Sequence, residues 1–210
     1  MLKVHRRFRT LALALMIVLF VTSALGEASQ FSAQDLNVNA TYAGATPDEV
    51  RAAIGEPSAT DSTTVAATGE TMDTWQYGGL SLAFIDGKLA RADWTDATLN
   101  GPRGIRIGDS IDTVKNAFYV DATQTSPDVM YTSGWVEALR SQLPPCGFIS
   151  RATDGTASLI YMAPVQPYSA EVLADTTSYV YQSHATLTFI FAADTQALTQ
   201  ITWTVGALAE

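Results

Sequence analysis

Cys146, the chain's only cysteine, and His184, its only histidine outside the N-terminal leader, are the residues best suited to nucleophilic chemistry. Paired, they could form a thiolate that attacks a carbonyl while the imidazole takes the proton. Cys146 sits in LPPCGF, between prolines and an aromatic, with no cation beside it to depress its pKa. Those surroundings favour a small buried hydrophobe over a reactive thiol. His184 follows Ser183 between two strand-like runs, where an exposed histidine is commonplace. A cysteine-dependent hydrolase is thus the remote reading. The sequence has no G-x-S-x-G elbow, phosphate loop or dinucleotide fingerprint. One histidine and one cysteine cannot form a metal cluster, and Asp121 and Asp128, seven apart, lack a calcium-loop pattern. The expectation is a protein that is not an enzyme, with no cofactor and no metal.

The N-terminus carries Lys3, Arg6, Arg7 and Arg9, then the apolar run from Leu11 to Val21, then SALGEA. This is the layout of a secretory signal peptide over residues 1–26, cleaved after Gly26 or, nearly as well, after Ala28. The competing reading is an uncleaved anchor, but the apolar core falls short of the roughly 20 residues of a spanning helix. The whole chain has 12 Lys and Arg against 21 Asp and Glu. Losing the leader removes four of those cations and no acid, so the mature chain carries a net charge of −13. Nucleic acid and anionic lipid are poor partners for such a surface, and no stable membrane insertion of the mature chain is expected. A lone cysteine excludes an internal disulfide, and Cys146 lies too far from the leader to accept a lipid. The expected location is secreted or extracytoplasmic.

The elements that must position any site are written in two related passages. In GATPDEVRAAIGEP, Gly44 to Pro57, Thr46 and Glu49 form a capping box, and Pro47 takes the first helical position. Val50 and Ile54 make an apolar stripe, and Gly55 and Pro57 end the helix. Asp48 and Glu49 are explained by the helix N-terminus, where negative charge is favourable. Three strands are predicted next, at 73–78, 80–85 and 88–94. A two-residue Asp86-Gly87 turn would place Leu80, Leu82 and Phe84 beside Leu89, Arg91 and Asp93, burying two charges. A three-residue loop, Ile85 to Gly87, sets them beside Ala90, Ala92 and Trp94 instead, and is the reading preferred.

The second passage, IGDSIDTVKNAF, aligns Gly108 with Gly44, Ser110 with Thr46, Val114 with Val50 and Phe118 with Ile54. Its strands are predicted at 177–182, 185–192 and 198–205, with Trp203 in the place of Trp94. An insertion, roughly 121–176, separates helix from strands. Within it Ser133 is expected to cap a helix, GWVEALRSQL, and SLIYMAP at 158–164 reads as a strand. Ser58 to Thr71, rich in Ser, Thr, Ala and Gly, reads as a flexible excursion. The expected fold class is therefore α+β: two tandem helix-plus-antiparallel-sheet units, at 41–96 and 104–206, joined by a linker at 97–103 and preceded by a flexible segment at 27–40.

The motif G-x-[TS]-x-x-x-V-[RK]-x-x-[IL]-G-x-P, then W-x-Y and a hairpin L-x-F-x-[DN]-G-K-L, resembles the SmpA/OmlA (BamE-like) domain. Its carriers here are Gly44, Thr46, Val50, Arg51, Ile54, Gly55, Pro57, Trp75, Tyr77, Leu82, Phe84, Asp86, Gly87, Lys88 and Leu89. Two such units in one exported chain resemble the architecture of the β-lactamase inhibitor proteins. The resemblance implies a non-enzymatic fold that presents a sheet face to a protein partner, in envelope assembly or in enzyme inhibition. The aromatics Trp75, Tyr77, Trp94, Tyr179, Tyr181, Phe189 and Trp203 mostly line cores, with the tyrosines more exposed than the tryptophans. Aromatics also concentrate at interface hot spots, so Tyr77, Tyr179 and Tyr181 are the candidate partner-binding residues. The expected function is an exported, non-catalytic protein-binding or inhibitory module at the cell surface, its partner an unknown protein. The alternative is an envelope-associated structural domain held by an uncleaved leader.

Overall fold

Alternating apolar and polar residues organise this chain as β-structure. A computed structural model describes residues 28–38, 41–65, 69–136, 141–142, 144–165 and 184–206. The strands are β1 (Ala59–Thr64), β2 (Thr71–Tyr77), β3 (Leu80–Ile85), β4 (Lys88–Trp94), β5 (Val129–Thr132), β6 (Trp135–Val136), β7 (Ser141–Gln142), β8 (Cys146–Arg151), β9 (Ala157–Pro164), β10 (His184–Phe191) and β11 (Leu198–Val205). The two α-helices are α1 (Pro47–Ile54) and α2 (Ile111–Asn116). Among the described residues nine strands form one sheet, in the order β1-β2-β3-β4-β11-β10-β9-β8-β5, antiparallel throughout.

This overturns the expected α+β class of two helix-plus-sheet units. The protein is mostly β, with a continuous nine-stranded sheet, a two-stranded ribbon and two short α-helices among the described residues. The physical reason lies at the seam where β4 pairs with β11: Trp94 opposes Ile201, Asp93 opposes Thr202, and Ala92 opposes Trp203. Neither strand is left as an edge there, so the ladder runs through and the apolar rows on both sides merge into one core.

That core lies on a single face. Leu82, Ala92, Trp203, Leu187 and Tyr161 occupy successive cross-strand positions and are fully buried. The two helices and the N-terminal segment close over them through Val50, Val114, Phe118, Phe31 and Leu36. Phe118 stacks on Tyr161 with ring centroids 4.1 Å apart. Gly147 is required beneath this stack, because a Cβ there would come within 2.7 Å of the Tyr161 ring.

Both helix starts are seated alike. The Gly44 amide donates to the Leu89 carbonyl at 2.7 Å, and the Leu89 amide donates to the Ala45 carbonyl at 2.8 Å. Gly108 and Asp109 make the same pair of bonds with Leu198, each 2.8 Å. Thr46 caps α1, its hydroxyl accepting from the Glu49 amide while the Glu49 carboxylate accepts from the Thr46 amide at 2.7 Å. Ser110 caps α2 through the Thr113 amide.

Three local expectations are corrected. The hairpin after β3 uses a two-residue turn, with Asp86 and Gly87 both at positive φ (48° and 66°) and Ile85 opposite Lys88. A bulge at Ala90 then restores parity, so Leu82 still meets Ala92 and no charge is buried. The excursion at 58–71 contains β1, paired with β2 over six residues. GWVEALRSQL is not a helix in its described part: β6 pairs with β7, and Thr132 rather than Ser133 captures the Gly134 amide, at 3.0 Å. A local turn there satisfies the backbone that a helix cap would have used. The strand predicted at 177–182 lies outside the described residues.

The linker NGPRG holds the strongest polar anchor. Arg103, at φ 57°, donates through Nε and Nη2 to both carboxylate oxygens of Asp35, at 2.7 and 2.9 Å. Its Nη1 also reaches the carbonyls of Ser29 and Ala117, at 2.8 and 2.6 Å. The guanidinium lies 4.0 Å from the Phe118 ring centroid, and both charged side chains are mostly buried. Removing one partner of such a pair strands the other charge. Arg103→Ala is expected to cost about 3–5 kcal/mol in urea unfolding, against about 1 kcal/mol for Thr46→Ala. An Arg103→Ala loss no larger than the cap's would contradict this role.

Candidate binding face

Opposite the core, the other face of the sheet is part-exposed along one cross-strand row and closed along the next, where Ala83, Thr204 and Cys146 are buried. Gln76, Ser81, Asp93, Thr202, Thr188, Ile160 and Phe148 follow one another across seven strands and are all part-exposed. The half toward β2 is polar, and the half toward β8 is apolar. Both helices lie on the far side of the sheet.

At the seam this face carries an ordered cluster. Arg91 and Asp93, two apart in β4, point the same way and meet side-on in a bidentate pair: Nε to Oδ2 at 2.7 Å and Nη2 to Oδ1 at 2.9 Å. Across the seam Thr202 donates its hydroxyl to Asp93 Oδ1 at 2.7 Å. The Gln200 amide reaches the same oxygen at 3.2 Å and the Thr202 hydroxyl at 3.1 Å. Asp93 is thereby nearly enclosed, its side chain 17% exposed, while Arg91 remains 41% exposed. The Asp93 hydrogen bonds push the Arg91 pKa further up. The result is a cation fixed by Asp93, which Thr202 and Gln200 hold in turn. It can make directional hydrogen bonds to a carboxylate or backbone carbonyl of another molecule. It holds no nucleophile.

The candidate residues named from sequence fall differently. Tyr77 shares the helix side of β2 with Trp75, and its hydroxyl donates to the Gly55 carbonyl at 3.1 Å, tying down the end of α1. Tyr179 and Tyr181 lie outside the described residues. The tryptophans Trp75, Trp94 and Trp203 are buried, at 6%, 0% and 0% exposure, and belong to the core. Arg91 and Asp93 were visible in the sequence only as the two charges that the hairpin register must keep out of the core. Their partner Thr202 comes from β11, more than a hundred residues away, and no local signal links them.

Cys146 is fully buried, and burial pushes its thiol up to about 12. It opposes Met162 in β9, which opposes Thr186 in β10, so a whole strand separates it from His184. The Cys–His dyad is not assembled here. Among the described residues no three His, Cys, Asp or Glu side chains gather as a metal site. No described helix is long and apolar enough to cross a membrane.

No family model matches the chain, and no curated protein matches it in sequence. The SmpA/OmlA resemblance therefore stands without a matching family. Among solved structures, an extracellular SCP-domain protein of Bacillus anthracis aligns with 87% of this chain and 48% of its own, at 11% identity and TM-score 0.39. The chain thus spans about half of that protein. The uncharacterised protein YfeY of Escherichia coli aligns with 85% of this chain and 99% of its own, at 11% identity and TM-score 0.34. A candidate β-lactamase inhibitor protein of Streptococcus mutans aligns with 84% and 90%, at 13% identity and TM-score 0.25. These are distant likenesses, and they include the inhibitor side of the resemblance at a low score.

The buried thiol yields a direct prediction. In the native protein Cys146 should not react with a disulfide reagent at pH 8, and should react fully once urea unfolds the chain. Because the folded pKa is raised above the ordinary 9.0, the contribution of this thiol to stability is complete below that value and is lost as pH climbs toward 12. Rapid native labelling would show that the site is open.

Proposed function

We propose that this protein is an exported, non-catalytic binding module whose open sheet face docks a protein partner at the cell surface. The observation that carries the reading is the Arg91–Asp93–Thr202–Gln200 cluster, built across the seam with Arg91 41% exposed, on the face away from α1 and α2. Arg91 is held in place by this cluster while still part-exposed, a pre-formed geometry suited to recognition. Arginine on a rigid element, flanked by an apolar half-face, has the composition of an interface hot spot. The signal-peptide layout that the sequence carries at 1–26 supports export. Inhibition of an enzyme is one form that such docking takes, and the face is broad enough for it.

Affinity capture from culture supernatant tests the reading. Thr188→Arg, which places a bulky cation in the middle of the open face, should abolish capture without changing the melting temperature. Arg91→Ala should weaken the captured complex by about tenfold or more. Tyr77→Phe, on the other side of the sheet, should leave it unchanged. Equal capture by Thr188→Arg and the parent protein would reject the open face as the docking surface.

A further inference from the structure

The sheet ends at β1, an edge of unusual character. All six residues, Ala59 to Thr64, are exposed, and their pairing with β2 runs without a register break. Natural edges are protected by Pro, Lys, bulges or a covering element; ATDSTT contains neither Pro nor Lys. The Val65 amide donates to the Glu70 carbonyl at 2.8 Å, which fixes the phase of the ladder. Residues 59, 61 and 63 therefore bond inward to β2, and the amides and carbonyls of Thr60, Ser62 and Thr64 turn outward.

Beside this edge, on the helix side, lies a cleft of about 510 Å³ lined by Arg51, Thr60, Asp61, Ser62, Asp73 and Trp75. Arg51 is already engaged, 3.2 Å from Asp48, 3.1 Å from Glu56 and 4.5 Å from the Trp75 ring centroid. Asp73 is part-buried, and no described residue makes a hydrogen bond or ion pair with its carboxylate. Asp73 thus adds a carboxylate near Arg51, whose guanidinium already serves Asp48 and Glu56, while Asp61, opposite Thr74, lies on the other face of the ladder. A cation entering the cleft would give the Asp73 carboxylate a partner.

We propose that β1 accepts an added strand from a partner protein: an extended segment with Lys or Arg at alternate positions, its backbone on Thr60, Ser62 and Thr64 and its cations toward Asp73. Strand addition supplies affinity through main-chain hydrogen bonds and specificity through alternate side chains, and here the specificity is for positive charge. A second copy of this chain fits poorly, since it would bring the same acidic edge. The surface is separate from the open face, so it stands or falls independently of that reading.

The test is an amide-shift titration of the full mature chain with a short synthetic peptide alternating threonine and lysine, beside one alternating threonine and glutamate. The lysine peptide should shift the amides of Thr60, Ser62 and Thr64, more strongly at low salt, and the glutamate peptide should not. Ser62→Pro keeps every bond to β2, because the amide it removes points outward, and should abolish the shifts. Asp73→Asn should weaken binding about threefold, and it tests the charge even if the proline variant fails to fold. Equal shifts from both peptides, no shift from the lysine peptide, or unchanged binding by Asp73→Asn would overturn the proposal. So would self-association without peptide that Ser62→Pro removes, which would make a second copy the occupant.

Discussion

The pairing of β4 with β11 is the constraint on which the rest of the structure depends. On the core side it sets Ala92 against Trp203 and Ile201 against Trp94, and both indoles are fully buried. On the open side it brings Asp93 to Thr202 and completes a polar cluster that β4 alone cannot make. At its two ends the strands outrun each other, and the backbone thus left free on Leu89 and Leu198 is taken up by the loops that start the helices. One register therefore decides the continuity of the sheet, the seating of both helices and the geometry of the exposed site.

The two faces of the sheet divide the work of the molecule. The helix side is dry, aromatic and anchored by Arg103, whose bonds to Asp35 and to the carbonyls of Ser29 and Ala117 fasten the N-terminal segment across the core. Its energetics are those of burial, where each large side chain contributes on the order of 2–3 kcal/mol. The open side contributes little to folding, and its fixed hydrogen bonds are free to serve recognition. Preorganisation matters there because ordering an arginine on binding costs affinity, and Arg91 is ordered before any partner arrives.

Much of this was legible in the sequence, for reasons that can be named. β3, β4, β10 and β11 carry a large apolar residue at nearly every second position, and their predicted limits fall within a residue of those observed. α1 was readable because its cap, proline, stripe and stop are all local. β1 was not, since an edge strand exposed on both faces has no apolar period. The Trp135, Leu139 and Leu143 spacing mimicked a helix because a one-sided stripe can occur by chance in ten residues. The single sheet was missed because continuity across the seam depends on a long-range pairing for which no local motif speaks, and the cluster at the seam was hidden for the same reason. Arg103 lay in a passage read as linker, where its left-handed backbone and its distant partner Asp35 left no trace.

Native-state hydrogen exchange at the seam tests the central claim most directly. If β4 and β11 join one cooperative sheet, the amides that cross the seam between Arg91 and Trp94 and between Ile201 and Thr204 should exchange only through global unfolding, with the same free energy as those in β3 and β10. Exchange of the β2 to β4 amides at a distinctly lower free energy than those of β9 to β11, with the seam opening first, would contradict it and show two units in contact in place of one sheet.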